Sequence, residues 1–234
     1  MNKFIVDEKI FDMFPDLKIG VVGCKDINNK EQNNNIRKLL DDLSEKTKRD
    51  IEGIELCEYP VIRSWRDAYK KFGEKKNRSS IESLIRSIVN GREIPTINSL
   101  VDIYNIISIK YLLPCGGEDI EKINDNMYLT IADGTEEFLP LGSQIIENPN
   151  VGEVIYKFDN NVICRNFNYR ESDLTKLTED TNNALLCIEC IDKNDYNKLD
   201  EAVKELSSLI KQYLGSNNKI CFLDKDNRTI ELSN

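Results

Sequence analysis

Three polar residues interrupt an apolar stretch between positions 94 and 119. Asn98, Asp102 and Asn105 are spaced four and then three residues apart, which places their side chains on one face of a helix. A buried amide or carboxylate without a partner costs about 1–3 kcal/mol, so this stripe either meets internal partners or lines a wet pocket. We favour the pocket. The alternative is that the three side chains cap neighbouring loops.

A pair of glycines follows this helix. Pro114 ends the apolar stretch, and Gly116 and Gly117 come directly after Cys115. A glycine turn exposes backbone N–H groups to a ligand, and such groups can stabilise the oxyanion formed when an ester is attacked. The alternative is an ordinary connecting turn.

The 234 residues include no histidine, which excludes Ser-His-Asp, Cys-His and histidine-metal chemistry together. Catalysis would rest on carboxylates, backbone dipoles or the substrate itself. Seven cysteines are too scattered for a secreted disulfide scaffold and are expected to be reduced. Cys187 and Cys190 form a CxxC pair inside an apolar segment without a second pair, so we expect no metal and no cofactor.

The segment 63–92 has the opposite charge to the rest of the chain. It holds nine basic and three acidic residues, giving +6 within a total of −9, so the remainder carries −15. Such polarity is typical of a polyanion-binding face. The alternative is a solvated helix surface whose aromatics Trp65, Tyr69 and Phe72 face inward. The RNA-binding candidates are Arg63, Arg66, Lys70, Lys71, Lys75, Lys76 and Arg78.

Hydrophobic periodicity predicts the elements that position these residues. Helices are expected near 36–51, over SWRDAYKKF with Ser64 as its cap, over IESLIRSIV capped by Ser79 or Ser80, in the central stretch, and near 196–213. Strands are expected at KIGVVGC, MYLTIA, GEVIYKF, NVICRNF, ALLCIECI, KICFL and TIEL. We predict one α/β domain of the α+β type over residues 1–234, with helices on a layered, mostly antiparallel sheet system. No apolar run could cross a bilayer and no signal peptide is evident, so we expect a cytoplasmic protein.

The run INSLVDIYNIISIKYLLPCGGEDIEKI resembles the editing-domain motif of the phenylalanyl-tRNA synthetase beta subunit. SWRDAYKKFG, GEVIYKF, CRNFNYR and TEDTNNALLCIE are similar to free-standing relatives of that domain. The resemblance covers roughly residues 3–215 and implies the family's layered sandwich, whose activity is hydrolysis of tyrosine wrongly esterified to phenylalanine tRNA. It implies that Asn105 holds water or ribose and that Glu189 reads the substrate hydroxyl or ammonium. Asp102 and Asp119 match motif aspartates.

The sequence departs from the family pattern at three places. Gly116 stands where the family has a histidine, Tyr104 replaces a threonine, and FNYR at 167–170 replaces a glycine-rich stretch. The candidate catalytic residues are Asn105, Gly116 and Glu189. The candidate substrate-binding residues are Asn98, Asp102, Cys115, Gly117, Asn168 and Arg170.

These observations favour a free-standing aminoacyl-tRNA deacylase that acts in trans and is not a complete ligase. Its partners would be the aminoacylated 3′ end of tRNA and the amino-acid moiety, with no DNA and no membrane. The alternative is a non-catalytic module of the same fold that binds an amino acid, a tRNA end or a protein. The net charge of −9 favours that alternative, unless a protein partner supplies further RNA-binding surface.

Overall fold

The computed structural model describes residues 2–232; Met1 and residues 233–234, the ends of the predicted domain, lie outside the described part. Within it the chain forms six α-helices and eleven strands. The helices are α1 Glu8–Met13, α2 Asn34–Asp50, α3 Pro60–Lys71, α4 Ser80–Val89, α5 Ser99–Tyr111 and α6 Tyr196–Leu214. The strands are β1 Lys3–Val6, β2 Lys18–Lys25, β3 Cys115–Asp119, β4 Met127–Ile131, β5 Glu137–Phe138, β6 Val154–Phe158, β7 Asn161–Arg165, β8 Arg170–Glu171, β9 Ala184–Cys190, β10 Asn217–Leu223 and β11 Thr229–Glu231.

The strands form two sheets. The first has the order β11-β1-β4-β6-β7-β5, with β8 paired to β7, and the second has the order β10-β2-β9-β3. Every pairing is antiparallel except β1 with β4 and β5 with β7. The predicted fold class, a mixed α/β arrangement of mostly antiparallel strands with packed helices, is confirmed.

The strand β9 is the centre of the second sheet. All seven of its residues are buried, and it pairs with β2 on one side and β3 on the other. Side chains alternate along it. Gly20, which lies opposite Ile188, marks the face covered by α6, because a Cβ there would lie 2.2 Å from Val203 Cγ2. The other face carries Glu189 and turns toward the first sheet, where Tyr156 contacts it.

The central helix α5 is buried on most sides, as its apolar residues predict. It ends at Leu112, whose φ of 55° is left-handed, and Pro114 then prevents the helix from continuing. Direct contacts with β3 follow from this position, so α5 fixes where the next strand begins.

Two local predictions are wrong. The helix α3 starts at Pro60 with Tyr59 as its N-cap, so Ser64 lies inside it; proline suits the first helical turn because it lacks an N–H. Gly116 and Gly117 belong to β3 and do not form a turn. Glycine is needed at position 117 because a Cβ would lie 2.1 Å from Leu186 Cδ2.

The aromatics of the basic segment face inward. Trp65 and Tyr69 are 1% and 2% exposed, and Trp65 packs edge-on against Phe167 with ring centroids 5.1 Å apart. They are core residues and are not available for base stacking. Among the helices of residues 2–232, none combines the length and the apolar character needed to cross a membrane.

Candidate functional site

A small cavity lies where the two sheets face each other. Its volume is about 20 Å³, enough for one water molecule or a group of similar size. A tyrosine side chain does not fit in it. The cavity is lined by Gly116, Gly117, Glu118, Met127, Tyr156, Cys164, Phe167, Glu171, Leu185, Cys187 and Glu189.

The carboxyl of Glu189 is satisfied within the protein. Tyr156 donates its hydroxyl to Oε1 at 2.7 Å, and Asn168 donates Nδ2 to Oε2 at 3.2 Å. Burial raises the pKa of Glu189 to about 8, and the two hydrogen bonds counteract part of that effect. The chain thus places its own phenol on the carboxyl that, by the resemblance, would read a substrate hydroxyl.

The hydrogen-bonded chain continues from Glu189 toward the surface. Asn168 Oδ1 accepts hydrogen bonds from the Tyr69 hydroxyl at 3.1 Å and from the Ser80 N–H at 3.2 Å. Tyr69 in turn lines a surface groove. Hydrogen bonds of Tyr69 and Asn168 therefore connect the groove to the carboxyl of Glu189.

Two further carboxyls lie in the cavity and contact each other. Glu118 is 7% exposed, and Glu171 is half-buried as a residue although its Oε2 atom is buried. Burial and the neighbouring Glu171 charge raise the pKa of Glu118 well above its usual range, and burial raises the pKa of Glu171 to about 6. Close carboxyls cannot both ionise readily, so the pair holds a proton near neutral pH. Within residues 2–232 the cavity lining contains no Lys or Arg to neutralise it.

The strand β3 is an edge strand of the second sheet and borders this site. Glu189 N–H donates to Pro114 O at 3.1 Å, so Gly116 and Cys187 form the next hydrogen-bonded pair of the antiparallel register. The N–H groups of Cys115 and Gly117 then point away from β9. Asp119 on the same edge donates its N–H to Thr175 O at 2.9 Å, so Thr175 lies against this edge. Gly117 therefore offers a backbone donor at the cavity.

The opposite wall is built by a strained turn. Asn166 and Phe167 have φ values of 49° and 67°, a left-handed conformation that a bulky residue adopts only when its surroundings require it. Phe167 is fully buried and packs on Phe14, Trp65 and Tyr156. This aromatic packing holds the turn and keeps the cavity small.

A basic groove of about 470 Å³ lies outside Tyr69. Its loop is held by Glu74, which accepts the N–H groups of Lys76 and Asn77 at 2.6 and 3.0 Å. Lys75 and Lys76 are exposed there and have no ion pair within the described residues. The groove is lined by Arg66, Tyr69, Lys70, Glu74, Lys75, Lys76, Asn77 and Arg78.

Three arginines of the basic segment surround one buried acid. Arg66, Arg78 and Arg86 lie 2.7, 3.1 and 2.9 Å from Glu82 Oε1, and the Glu82 side chain has no exposed surface. Burial alone would raise the pKa of Glu82, but the hydrogen bonds from Arg66 and Arg86 lower it overall. Arg66 lies in α3 and Glu82 in α4, so their ion pair joins the two helices. Part of the predicted RNA-binding set therefore has a structural role as well.

The other basic residues predicted to bind RNA differ in their surroundings. Lys70 pairs with Asp67 at 2.7 Å on the exposed face of α3, and Lys71 donates to Met13 O at 2.9 Å. Arg63 is exposed and does not line the groove.

The predicted substrate site is brought together only in part. Gly116, Gly117 and Glu189 line the cavity, and Asn168 binds Glu189. Cys115 precedes Gly116 in β3, and the alternation of the strand turns its side chain to the opposite face.

The polar stripe of α5 does not reach the cavity. Asn98 caps α5 by accepting the Val101 N–H at 3.0 Å and donates to Leu177 O at 3.2 Å. Asp102 accepts Gln32 Nε2 at 2.9 Å, and Asn105 is 8% exposed. Asn98 and Asp102 therefore anchor neighbouring loops, which was the alternative to lining a pocket.

Arg170 also lies outside the cavity lining. It forms an ion pair with Glu147 at 2.9 Å, and its guanidinium lies over the ring of Phe138.

Sequence reasoning missed Tyr156, Glu118 and Glu171. The glutamates fall in GGED and in the polar run YRES, which both look like solvated loops. A usable signal was the position of Glu118 directly after Gly117 and two residues before Ile120, since a charge inside a strand is either at an edge or at a site. Within residues 2–232 no group of three or more metal-binding side chains is arranged to hold an ion, and all seven thiols are free.

Comparison with known proteins gives one family match. The profile of the B3/4 domain family matches residues 64–215, more than half of the chain. Among curated proteins, no sequence matches. The fold is similar to an N-terminal fragment of the phenylalanyl-tRNA synthetase beta subunit from Pyrococcus horikoshii, at 14% identity and a TM-score of 0.47. That similarity covers 92% of this chain and 49% of the solved chain, so the present chain spans about half of its length.

Proposed function

The chain belongs to the B3/4 domain family, and on that basis we propose that it is an aminoacyl-tRNA deacylase that acts in trans. The observation that supports hydrolysis most directly is the position of Glu171. Its carboxyl lines the cavity, and burial raises its pKa to about 6, close to the value that suits a general base at neutral pH. Gly117, on the edge strand β3, lines the same cavity.

The reaction needs no histidine. An aminoacyl ester is already activated, so the site must orient one water and stabilise the developing oxyanion. Glu171 would take a proton from that water as its oxygen attacks the ester carbonyl carbon, while the Gly117 N–H would bind the oxyanion. The ester C–O bond then breaks, and the ribose hydroxyl leaves with the proton from Glu171.

Recognition of tRNA would use the basic groove. Its volume lies in the range of about 300–1,000 Å³ that is usual for small-ligand sites. Tyr69 connects this groove to Asn168 and Glu189, so a phosphate bound near Lys75 and Lys76 would place the 3′ end on the side of the cavity.

The test is a deacylation assay over a panel of mischarged tRNAs. We expect the wild-type rate to rise with pH through about 6 and then level off, because Glu171 must be ionised to accept a proton. Glu171→Gln should reduce the rate about 100-fold or more, the usual contribution of a general base. Glu205→Gln is the matched control, since Glu205 binds Lys110 and Tyr111 away from the cavity.

Two outcomes would contradict the proposal. Equal rates in Glu171→Gln and in the wild-type protein would remove Glu171 from the chemistry. Binding of tRNA without hydrolysis of any ester would favour the non-catalytic module, a function with which the internally satisfied Glu189 is equally compatible.

A further inference from the structure

Three arginines that share one buried glutamate leave a surplus of positive charge beside the basic groove. Arg66, Arg78 and Arg86 lie 2.7, 3.1 and 2.9 Å from Glu82 Oε1. Burial would raise the pKa of Glu82, but hydrogen bonds from Arg66 and Arg86 lower it, so this carboxyl is ionised at neutral pH. Three positive charges and one negative charge leave the cluster with a net charge of +2.

One of these arginines is enough to neutralise Glu82. Arg66 donates Nε to Oε2 at 2.9 Å and Nη2 to Oε1 at 2.7 Å, and such a bidentate pair is the strongest form of an arginine–carboxylate interaction. Arg86 adds a single hydrogen bond through Nη2 at 2.9 Å, and its Nε is buried without a partner in residues 2–232. Buried donors are almost always paired in folded proteins. Glu82 therefore does not account for the full set of arginines.

Other acids do not neutralise the cluster. Within residues 2–232, the three arginines form ion pairs with no carboxylate except that of Glu82. Glu74 is the acid of the adjoining groove, but its oxygens accept the backbone N–H groups of Lys76 and Asn77 and the side-chain amide of Asn77. The three arginine side chains are between 36% and 48% exposed, so a ligand in solution can reach them.

The arrangement of the cluster fits a single phosphate group. Glu82 and Arg86 are one turn apart on α4, and Arg78 lies just before that helix. Arg66 reaches the same carboxyl from α3. A guanidinium presents two parallel N–H groups that match the oxygens of a phosphate. A phosphate monoester carries a charge of about −1.5 to −2 at pH 7, close to the surplus of the cluster, whereas a diester or a carboxylate carries a single negative charge.

We propose that Arg66, Arg78 and Arg86, held together by Glu82, form a receptor for a phosphate monoester. Arg66 and Arg78 also line the basic groove, so the receptor opens at that groove and not at the cavity between the sheets. The dianionic group would bind the surplus guanidiniums while Glu82 keeps its bidentate pair with Arg66. The receptor therefore prefers a monoester to a diester of similar size.

The proposed function supplies one source of such a group. The phosphates inside an RNA chain are diesters, and a monoester is found only at a phosphorylated end. In a tRNA the 5′ end carries this monoester and pairs close to the 3′ end that holds the amino acid. Lys75 and Lys76 remain the principal contacts for the diester phosphates. The assignment to a tRNA end rests on the proposed function, whereas the receptor for a monoester does not.

The experiment measures binding of methyl phosphate and dimethyl phosphate to the full chain by calorimetry at low ionic strength. Methyl phosphate should bind at least about tenfold more tightly than dimethyl phosphate, the ratio that one additional charge-assisted hydrogen bond supports. Arg86→Gln should remove this preference, because it deletes one of the two surplus charges. Arg63→Gln is the matched control and should retain it, since Arg63 is an exposed base of the same segment that does not line the groove.

A second variant keeps the test decisive if Arg86→Gln fails to fold. Arg78 is the most exposed of the three arginines and contacts Glu82 from outside α4, so Arg78→Gln leaves the bidentate pair of Arg66 intact. It should lower the preference for methyl phosphate in the same way. Equal affinities for the two probes in the wild-type protein, or the wild-type preference in Arg78→Gln, would overturn the receptor.

A pair of tRNAs identifies the source of the phosphate. Tighter binding of a tRNA with a 5′ phosphate than of the same tRNA with a 5′ hydroxyl, with the difference lost in Arg78→Gln, would assign the receptor to the RNA end. Equal binding of the two tRNAs, together with selective binding of methyl phosphate, would assign it to a phosphorylated small molecule.

The receptor and the deacylase fail separately. Selective binding of methyl phosphate without deacylation of any tRNA would leave the receptor standing and remove the deacylase. Deacylation by a protein that binds methyl phosphate and dimethyl phosphate equally would do the reverse.

Discussion

The carboxyl of Glu189 binds side chains of the protein itself at the position where the family resemblance implies a ligand. Tyr156 and Asn168 occupy its two oxygens, and its pKa of about 8 keeps it largely protonated at neutral pH. A foreign phenol would have to displace Tyr156, which is 3% exposed. Selection of a tyrosine substrate through Glu189 therefore has no geometric support, and Glu118 and Glu171 become the side chains to test.

The raised pKa of Glu189 predicts a pH dependence of stability. Below pH 4.5, its unperturbed pKa, both the folded and the unfolded chain hold the proton; between 4.5 and about 8 only the folded chain keeps it. Stability should fall as pH rises through this window. Over this pH range the free energy of unfolding of Glu189→Gln should fall by at least about 1 kcal/mol less than that of the wild-type protein. This difference corresponds to roughly 2–4 °C in Tm and is measured by thermal melts from pH 5 to pH 9. Identical slopes in both proteins would show that Glu189 ionises freely in the native state.

The strand β3 combines a packing requirement with a functional one. A Cβ at Gly117 would lie 2.1 Å from Leu186 and 3.2 Å from Leu177, whereas a Cβ at Gly116 would meet only Glu171 Oε1, at 3.3 Å. Adjacent glycines of the same strand thus serve opposite faces of the sheet. One permits close packing beside β9, and the other leaves space at the cavity.

This difference predicts different outcomes for two identical substitutions. Gly117→Ala should destabilise the fold by about 1–3 kcal/mol, because the added methyl overpacks the core. Gly116→Ala should leave the melting temperature nearly unchanged and reduce deacylation, because the methyl enters the cavity. Thermal melts and the deacylation assay separate these effects. A loss of stability in Gly116→Ala equal to that in Gly117→Ala would contradict the assignment of faces.

Charge is divided unevenly over the whole molecule. The total is −9, yet the groove outside Tyr69 is lined by five basic side chains and one acid. Arg66 and Arg78 of that groove are paired with Glu82, and Lys70 with Asp67. Lys75 and Lys76 are the basic groups most available to phosphate, which narrows the predicted RNA-binding surface from seven side chains to two principal ones.

Reversal of these two charges tests the surface. Lys75→Glu with Lys76→Glu should weaken tRNA binding and lower the slope of log affinity against log salt by about two, one for each lysine–phosphate interaction removed. Lys219→Glu with Lys225→Glu makes the same change in net charge at exposed lysines far along the chain. Filter binding at several salt concentrations gives the slopes. Equal slopes for the two double variants would exclude the groove as the RNA-binding face.

Local patterns in the sequence determined much of this protein. The continuous apolar run of β9 predicted a buried core strand, and the apolar surround of α5 predicted a buried helix, since burial on all sides requires apolar residues throughout. The absence of histidine excluded whole classes of chemistry without any structure. The sequence predicted Ser64 as the N-cap of α3, but the helix begins four residues earlier at Pro60, because proline favours the first helical turn.

Tertiary structure alone decided the composition of the site. Glu118 in β3, Glu171 in β8 and Tyr156 in β6 lie far apart in sequence and meet because the two sheets face each other. Periodicity specifies which face of an element a residue occupies, but it does not specify what lies opposite that face. Gly116 and Gly117 were found from sequence because glycines leave the backbone accessible, and Glu189 because the family resemblance marked it. The stripe of Asn98, Asp102 and Asn105 predicted a pocket on α5, but Asn98 and Asp102 form hydrogen bonds with neighbouring loops. A polar residue that anchors a loop can have the same spacing as one that lines a pocket.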